Sequence, residues 1–149
     1  MNPTHAAGPE AFPRGDDASS ELFSGPVWLA QLLDPAQVAT VDAAVYNVTF
    51  APGCRNNWHS HSHGQILLAT RGVGLHQLRG GPVDVLHPGD VIVCPPGVEH
   101  WHGAAPESEF THIGISPNAT ANHPTWLNPV TDAEYAAAAA AEPLLREMS

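Results

Sequence analysis

Residues 53–72 constrain the fold of this chain more than any other part of the sequence. They place His59 and His61 one residue apart, before a Ser-His-Gly turn signal at residues 62–64 and an apolar run that starts after Gln65. Residues i and i+2 of a β-strand project from the same face, so the two imidazoles can converge on one point. If the apolar run is the returning strand of a hairpin, it brings the Gln65 amide to that point as well. This stretch therefore predicts one half of a metal site.

Residues 89–104 supply the other half. They predict a Gly-Asp turn, a β-branched strand, a Pro-Pro-Gly turn and a further strand that opens on His100. The ligand set then comprises three imidazoles and one amide, from His59, His61, His100 and Gln65. Imidazole suits Mn, Fe, Co, Ni, Cu and Zn, and open coordination positions would be left for water or substrate. The alternative is a metal-free pocket in which the histidines only form hydrogen bonds.

The two stretches resemble the two sequence motifs of the cupin superfamily. The first motif, G-x5-H-x-H-x3-E-x6-G, is met at Gly53, His59, His61 and Gly72, with Gln65 where glutamate is usual. The second motif, G-x5-P-x-G-x2-H, is met at Gly89, Pro95, Gly97 and His100. The resemblance implies an all-β fold, the cupin jelly-roll barrel or double-stranded β-helix.

Length and turn pattern also indicate one all-β domain. The chain has 149 residues, and its β-branched clusters alternate with Gly, Pro and Asn turn signals at short intervals. Residues 1–20 have little to bury and predict a disordered N-terminal tail, which leaves residues 21–149 as a single cupin domain. The alanine-dense segment 132–141 predicts a short helix outside the barrel, capped by Thr131 and ended by Pro143.

The charge balance excludes several classes of function. Fifteen acidic residues stand against five basic ones, all of them arginines, and the formal net charge is −10. Nucleic-acid binding and docking on anionic membranes are disfavoured, and Schiff-base catalysis by a lysine is excluded. Cys54 and Cys94 lack C-x-x-C spacing and predict buried free thiols, with a disulfide as the alternative. Because neither a signal-peptide layout nor a spanning apolar run is visible, we expect a reduced cytoplasmic protein.

The apolar segment from Leu22 to Leu33 predicts one or two early strands. It is too long and too hydrophobic for a lone edge strand, which would invite aggregation. In cupins such strands often pair across a dimer interface, so we expect a homodimer.

Alternation over residues 43–50 predicts a strand with one face inside the barrel. The candidate wall of a substrate pocket comprises Tyr46, Val48, Phe50, Leu67, Leu75 and Ser116. Such a wall implies a small, partly apolar substrate. Trp58 and Trp101 have parity opposite to the neighbouring ligands and are interpreted as packing groups.

His102 and His112 are the candidates for acid and base chemistry. His102 shares parity with His100, and His112 lies on the following strand. An inward histidine that is not a metal ligand suits proton transfer because its ordinary pKa lies near neutrality. The alternative is that either is a core histidine bonded to backbone. His63 is expected in the turn, and three further histidines are expected at the surface, namely His76, His87 and His123.

Gln65 determines the charge of the predicted metal site. Four neutral ligands leave the full charge of a divalent ion uncompensated, which strengthens its action as a Lewis acid and disfavours its trivalent state. This favours non-redox lyase or hydrolase chemistry over oxygen activation.

A narrower resemblance rests on residues 57–61, Gln65, residues 100–106 and His112. These segments are similar to a branch of small bacterial manganese-dependent hydroxynitrile lyases, of the (R)-mandelonitrile lyase type, and of cupins associated with carboxymuconolactone decarboxylases. The resemblance implies that three histidines and a glutamine hold the metal, which maps onto His59, His61, Gln65 and His100. It also implies that His112 is the base.

The sequence departs from that branch at the pocket wall. Tyr46 stands where those lyases have a small residue, and Ser116 stands where they have a glutamine. Manganese is the expected ion, with Fe, Ni, Co or Zn as alternatives, and the expected partner is a small-molecule substrate. Three classes stay open: a C–C lyase, a quercetinase-like dioxygenase, and a non-catalytic small-ligand binder.

Overall fold

The structure is a computed structural model that describes residues 7–38 and 40–148, with side chains described as far as Ala141. In this part of the chain the backbone forms eleven strands and one helix. Their bounds are β1 (Asp16–Asp17), β2 (Val27–Leu33), β3 (Ala43–Phe50), β4 (His59–His61), β5 (Gln65–Gly72), β6 (Gly74–Leu78), β7 (Val83–Leu86), β8 (Val91–Cys94), β9 (His100–Ala104), β10 (Phe110–Pro117), β11 (Pro124–Trp126) and α1 (Asp132–Met148).

The strands form two antiparallel sheets, which confirms the predicted all-β class. The order is β1-β2-β3-β10-β5-β8 in the six-stranded sheet and β11-β4-β9-β6-β7 in the five-stranded sheet. A buried apolar cluster joins the two sheets, since Phe50 and Ala69 of the first sheet contact Leu86 and Ala104 of the second. Non-consecutive neighbours in both sheets make this the jelly-roll arrangement that the motifs predicted.

The register of β10 determines which side chains face the interior. Gly114 lies opposite Tyr46, and His112 lies opposite Val48. Paired residues of antiparallel strands project from the same face, so these four share one side of the sheet. All four line the same internal cavity, which confirms that this face of β3 points inward.

A second core lies between the five-stranded sheet and α1. Trp58, Leu75, Trp101, Val130 and Ala138 are buried there together. The packing role predicted for the two tryptophans is therefore confirmed. Leu75 was predicted in the pocket wall, but its strand parity turns it to the outer face of the sheet, beneath the helix.

Helix α1 begins with a capping box. The Glu134 amide donates to Thr131 Oγ1 at 3.0 Å, and the Thr131 amide donates to Glu134 Oε1 at 2.9 Å. This confirms Thr131 as the N-cap. The predicted end at Pro143 is wrong, because the helix continues to Met148. No helix in the described residues has the length and hydropathy needed to cross a membrane.

Residues 7–17, here called the N-terminal arm, are ordered against the outside of the six-stranded sheet. β1 pairs with Trp28 and Leu29 of β2, and Asn47 Nδ2 donates to the Pro13 carbonyl at 2.9 Å. The sequence predicted a disordered tail over residues 1–20, but the structure holds residues 7–20 against the sheet. Backbone pairing and ion pairs hold this segment although it has little apolar surface. Residues 1–6 lie outside the described part of the chain.

Candidate metal centre

A cavity of about 310 Å³ lies between the two sheets, at the end of the barrel where β4, β5 and β9 begin. Its wall contains imidazoles on one part and apolar side chains on another. The residues that line it are Phe23, Leu29, Ala44, Tyr46, Val48, Phe50, Asn56, His59, His61, Gln65, His102, His112, Gly114, Ser116, Ala119, Asn122, Pro124 and Trp126.

Three of the predicted ligands converge. One nitrogen from each of His59, His61 and His100 lies within 4.8 Å of the other two. The ring centroids are 4.3 Å apart for His59 and His100, 5.1 Å for His59 and His61, and 5.4 Å for His61 and His100. Three nitrogens that share one ion at bonds of about 2 Å lie within about 4 Å of one another, so the observed spacing is close to what an ion requires.

Strand pairing produces this convergence. His59 and His61 are i and i+2 residues of β4, and His59 is the register partner of His100 on β9. Gln65 arrives differently from the prediction, because β4 and β5 belong to different sheets and do not form a hairpin. The turn between them crosses from one sheet to the other, and Gln65 still reaches the cavity.

Gly64 makes the crossing possible. Its φ is +81°, and a Cβ there would lie 2.8 Å from the Cys94 carbonyl oxygen. Only glycine fits this left-handed position without strain. The exposed His63 lies in this turn, outside the cavity lining.

Hydrogen bonds hold two ligand rings in the orientation that a metal requires. His59 Nδ1 lies 2.7 Å from the Asn57 carbonyl oxygen, and His100 Nδ1 lies 3.2 Å from that of Val98. A carbonyl only accepts, so each Nδ1 carries the proton and each Nε2 keeps its lone pair. Nε2 of His61 and of His100, and Oε1 of Gln65, are buried without a protein partner. These unsatisfied atoms fit a metal ion.

Burial keeps the ligand imidazoles neutral. It lowers the pKa of His100 to about 4 and that of His59 well below its ordinary value, and the neighbouring imidazoles add to both effects. Burial also lowers the pKa of His61, and the nearby Gln65 side chain opposes this shift. Neutral imidazole is the form that binds a metal, so the site is prepared for a cation at neutral pH.

His102 and His112 form a second imidazole pair in the same cavity. Their centroids are 4.9 Å apart and their planes are nearly perpendicular. Both rings are fully buried; burial lowers the pKa of His112 to about 4 and that of His102 well below its ordinary value. Phe50 and Phe110 stack on His112 at 5.9 and 5.6 Å. The structure thus places both predicted acid–base residues beside the three-histidine cluster.

The predicted apolar wall is present in part. Tyr46, Val48, Phe50 and Ser116 line the cavity. Leu67 shares the inward face of β5 with Gln65, but it is buried and is not part of the cavity wall. Leu75, as described above, lies beneath α1 instead.

The comparisons with known proteins agree with this geometry. A family model of the cupin domain matches residues 46–113. The (R)-mandelonitrile lyase of Granulicella tundricola is 41% identical over 116 residues, which cover 78% of this chain and 87% of that protein. The chain belongs to the cupin family. The resemblances to cupins and to hydroxynitrile lyases that the motifs indicated are thereby confirmed.

Solved structures support the same conclusion. A cupin-like protein from Thermotoga maritima is 46% identical to this cupin, with a TM-score of 0.83 over 87% of this chain and 97% of the other. The DMSP lyase DddQ from Ruegeria pomeroyi has a TM-score of 0.62 at 18% identity, over 81% of this cupin and 61% of the other chain. At that identity the second likeness shows the shared fold alone.

Several cavity residues of this cupin were not predicted. The clearest is Trp126, whose ring stacks on His59 at 4.6 Å and 29°. Phe23 touches Trp126 edge-on at 6.3 Å. Asn56, Leu29 and Asn122 also line the cavity. Position within the Asn-Asn-Trp-His stretch could have indicated Asn56, and the family resemblance of the Thr125-Trp126 segment could have indicated Trp126. Phe23 lies far from both motifs and carries no such signal.

His76 was predicted at the surface, and that prediction is wrong. It is 1% exposed because β6 pairs it with His102 of β9, which turns both rings inward. His76 Nδ1 donates to Asp84 at 3.0 Å, and the Cys94 thiol contacts Nε2 at 3.5 Å. This order is typical of a nucleophile triad, yet burial raises the pKa of Cys94 to about 12, which keeps the thiol protonated. Cys54 and Cys94 are buried free thiols, as predicted.

Proposed function

We propose that this cupin is a metal-dependent C–C lyase that cleaves small cyanohydrins. The observation that carries the proposal is that His59 and His61 of the three-histidine cluster line the same cavity as the His102–His112 pair. The three-histidine cluster has buried ring nitrogens without a protein partner, which could bind an ion. The His102–His112 pair beside it could transfer a proton. The 41% identity to an (R)-mandelonitrile lyase supports this class.

His59, His61, His100 and Gln65 would hold the ion, and manganese is the ion that we propose. When bound, a divalent ion in this neutral ligand set supplies Lewis acidity toward a substrate oxygen. Gln65 contributes an amide oxygen that has no protein partner. Its neutrality leaves the charge of the ion available to the substrate.

The chain's own residues would perform the proton transfers. His112 accepts the hydroxyl proton of the cyanohydrin. The bond between the carbinol carbon and the nitrile carbon then breaks, its electron pair leaves with cyanide, and a carbonyl compound forms. The proton taken from the hydroxyl is finally delivered to cyanide, which gives hydrogen cyanide and restores the base. Burial lowers the pKa of His112 to about 4, so its ring is neutral at neutral pH and can accept a proton.

The apolar part of the wall would bind the organic group of the substrate. Tyr46, Val48, Phe50 and Phe23 line the apolar part of the cavity, whose whole volume is about 310 Å³. That volume lies at the lower end of the range of roughly 300–1,000 Å³ found for small-molecule sites. A single small aromatic or branched aliphatic group fits this size class.

Turnover and oxygen uptake, measured together, test the proposal. Manganese-loaded protein should cleave aromatic cyanohydrins without consuming oxygen. Replacing Gln65 by Glu puts a negative charge on the ion, so we expect metal binding at least as tight and slower lyase turnover. Gln37→Glu, an exposed glutamine in the loop after β2, controls for the added charge.

Other outcomes would assign the protein elsewhere. Oxygen uptake coupled to loss of a flavonol-like substrate would indicate a dioxygenase. Binding of small ligands without turnover, whatever metal is loaded, would indicate a binding protein. Faster lyase turnover in Gln65→Glu would contradict the Lewis-acid argument.

We also propose that the protein is a homodimer. β1 pairs only with Trp28 and Leu29, so the Ala30–Leu33 part of β2 pairs with β3 on one side and has no strand partner on its outer side in the described residues. Leu32 on that edge is 37% exposed. Such an edge is typically paired or protected in native proteins. A monomer by light scattering at micromolar concentration would contradict this proposal.

A further inference from the structure

Asn56 makes three hydrogen bonds to one residue, His102. The Asn56 amide donates to the His102 carbonyl at 3.1 Å, and the His102 amide donates to Asn56 Oδ1 at 2.9 Å. The third contact joins Asn56 Nδ2 and His102 Nε2 at 3.1 Å. Both residues are buried, with 3% and 4% exposure, so water does not compete for these bonds.

These bonds determine where the proton on the His102 ring lies. A backbone amide can only donate, so the side-chain atom of Asn56 that faces it must be the carbonyl oxygen. The NH₂ group therefore faces the ring, and it can only donate. His102 Nε2 must accept, so in the neutral ring the proton resides on Nδ1.

The protonated nitrogen is the one left unpaired. His102 Nδ1 is buried and has no hydrogen-bond partner among the described residues. His102 lines the cavity, with its centroid 4.9 Å from that of His112. A buried N–H without a partner carries a desolvation cost that a bound acceptor would remove.

We propose that Asn56 is a positioning residue that holds His102 as the Nδ1–H tautomer, so that His102 is a hydrogen-bond donor to the substrate and His112 alone accepts the proton. This donor fits a substrate group that carries developing negative charge, as the departing cyanide does. The assignment of roles to His102 and His112 rests on the reaction proposed above. The tautomer itself follows from the hydrogen bonds and holds whatever the reaction is.

NMR of the ¹⁵N-histidine-labelled 149-residue chain tests the tautomer directly. The protein is loaded with Zn²⁺, which has no unpaired electrons, and the His102 signals are assigned by their loss in His102→Gln. We expect a protonated-type nitrogen signal at Nδ1 and an unprotonated-type signal at Nε2. A wild-type ring that is protonated at Nε2, or at both nitrogens, would overturn the proposal.

Asn56→Asp tests the causal role of the amide. The carboxylate keeps the acceptor for the His102 amide but presents a second acceptor to Nε2, so the ring proton should appear on Nε2. Turnover should fall roughly 10²-fold, the cost of removing one preorganised donor, mainly in kcat and with metal content unchanged. An unchanged Nδ1–H ring in this variant would overturn the positioning role.

Asn57→Asp is the matched control for the added charge. The Asn57 side chain donates to the Leu127 carbonyl at 3.5 Å, and among the described residues it has no hydrogen bond to His102. The Asn57→Asp variant should have the same His102 tautomer as wild type. A shift of the ring proton in this control would show that the added charge, rather than the Asn56 contact, determines the tautomer. If wild type shows the Nδ1–H ring but no cyanohydrin cleavage, the proposed function fails while the tautomer assignment stands.

Discussion

The cavity wall has two parts of different composition. His59, His61 and His102 come from the five-stranded sheet and present ring nitrogens to the cavity, whereas Tyr46 and Val48 come from β3 and present mainly carbon. The first part contains polar atoms that are buried without partners. Buried polar atoms that lack a protein partner are costly unless a ligand, an ion or water satisfies them, whereas an apolar surface needs only contact. The imidazole part should therefore determine the chemistry, and the apolar part should determine the choice of substrate.

The largest expected effect is on the imidazole part. His61→Ala removes one of three converging nitrogens, so metal occupancy measured by elemental analysis should fall to near zero, together with turnover. His63→Ala is the matched control, because His63 is exposed in the turn two residues later. Full metal occupancy in His61→Ala would show that the ligand assignment is wrong.

His112→Ala should separate proton transfer from metal binding. We expect a loss of roughly 10²–10⁴ in turnover, the usual contribution of general acid–base catalysis, with metal content unchanged. Metal content and kcat measured on the same preparation check this. Loss of the metal would instead identify His112 as a ligand, and full activity would remove it from the mechanism.

A smaller effect is expected on the apolar part. Tyr46→Ala enlarges the cavity without touching the ligands, so larger aromatic cyanohydrins should gain in kcat/KM relative to small ones, by about 10-fold. Val45→Ala, one residue earlier and on the outer face of β3, should leave this preference unchanged. Loss of metal in Tyr46→Ala would contradict the separation of the two parts.

The two parts also differ in how well the sequence predicts them. His59, His61 and His100 follow from motif spacing, because i, i+2 geometry and a glycine-dependent turn are local properties. The apolar part depends on which distant segments meet. Phe23 and Trp126 are about one hundred residues apart in the chain, and only the pairing of β11 with β4 brings Trp126 onto His59.

The alternation of side chains along a strand explains why the predictions for Leu75 and His76 were wrong. Leu75 and His76 are neighbours on β6, so only one of them can face the interior. Because His76 pairs with His102, it is His76 and not Leu75 that faces the interior. Apolar character suggested Leu75 inside and polar character suggested His76 outside, but the second core beneath α1 satisfies Leu75, and Asp84 satisfies His76. Neither partner can be recognised from the sequence before the register is known.

The smallest expected effect lies outside the cavity, where the N-terminal arm is held. Glu109 binds Arg71 at 2.6 Å and Arg14 of the arm at 2.9 Å, and these guanidinium groups lower the pKa of its carboxyl, Arg14 most strongly. A carboxyl whose pKa is lower in the folded state stabilises the protein above its unfolded pKa, and this stability is lost as the pH falls through the folded value.

Glu109→Gln should therefore lower the free energy of unfolding by about 1 kcal/mol near neutral pH. The difference from wild type should shrink in acid, where both side chains are uncharged. Denaturant unfolding at several pH values measures this, with exposed Glu21→Gln as the control. Because Glu109 does not line the cavity, metal content should be unchanged; a loss of metal would mean that the arm supports the imidazole part as well as the outer sheet.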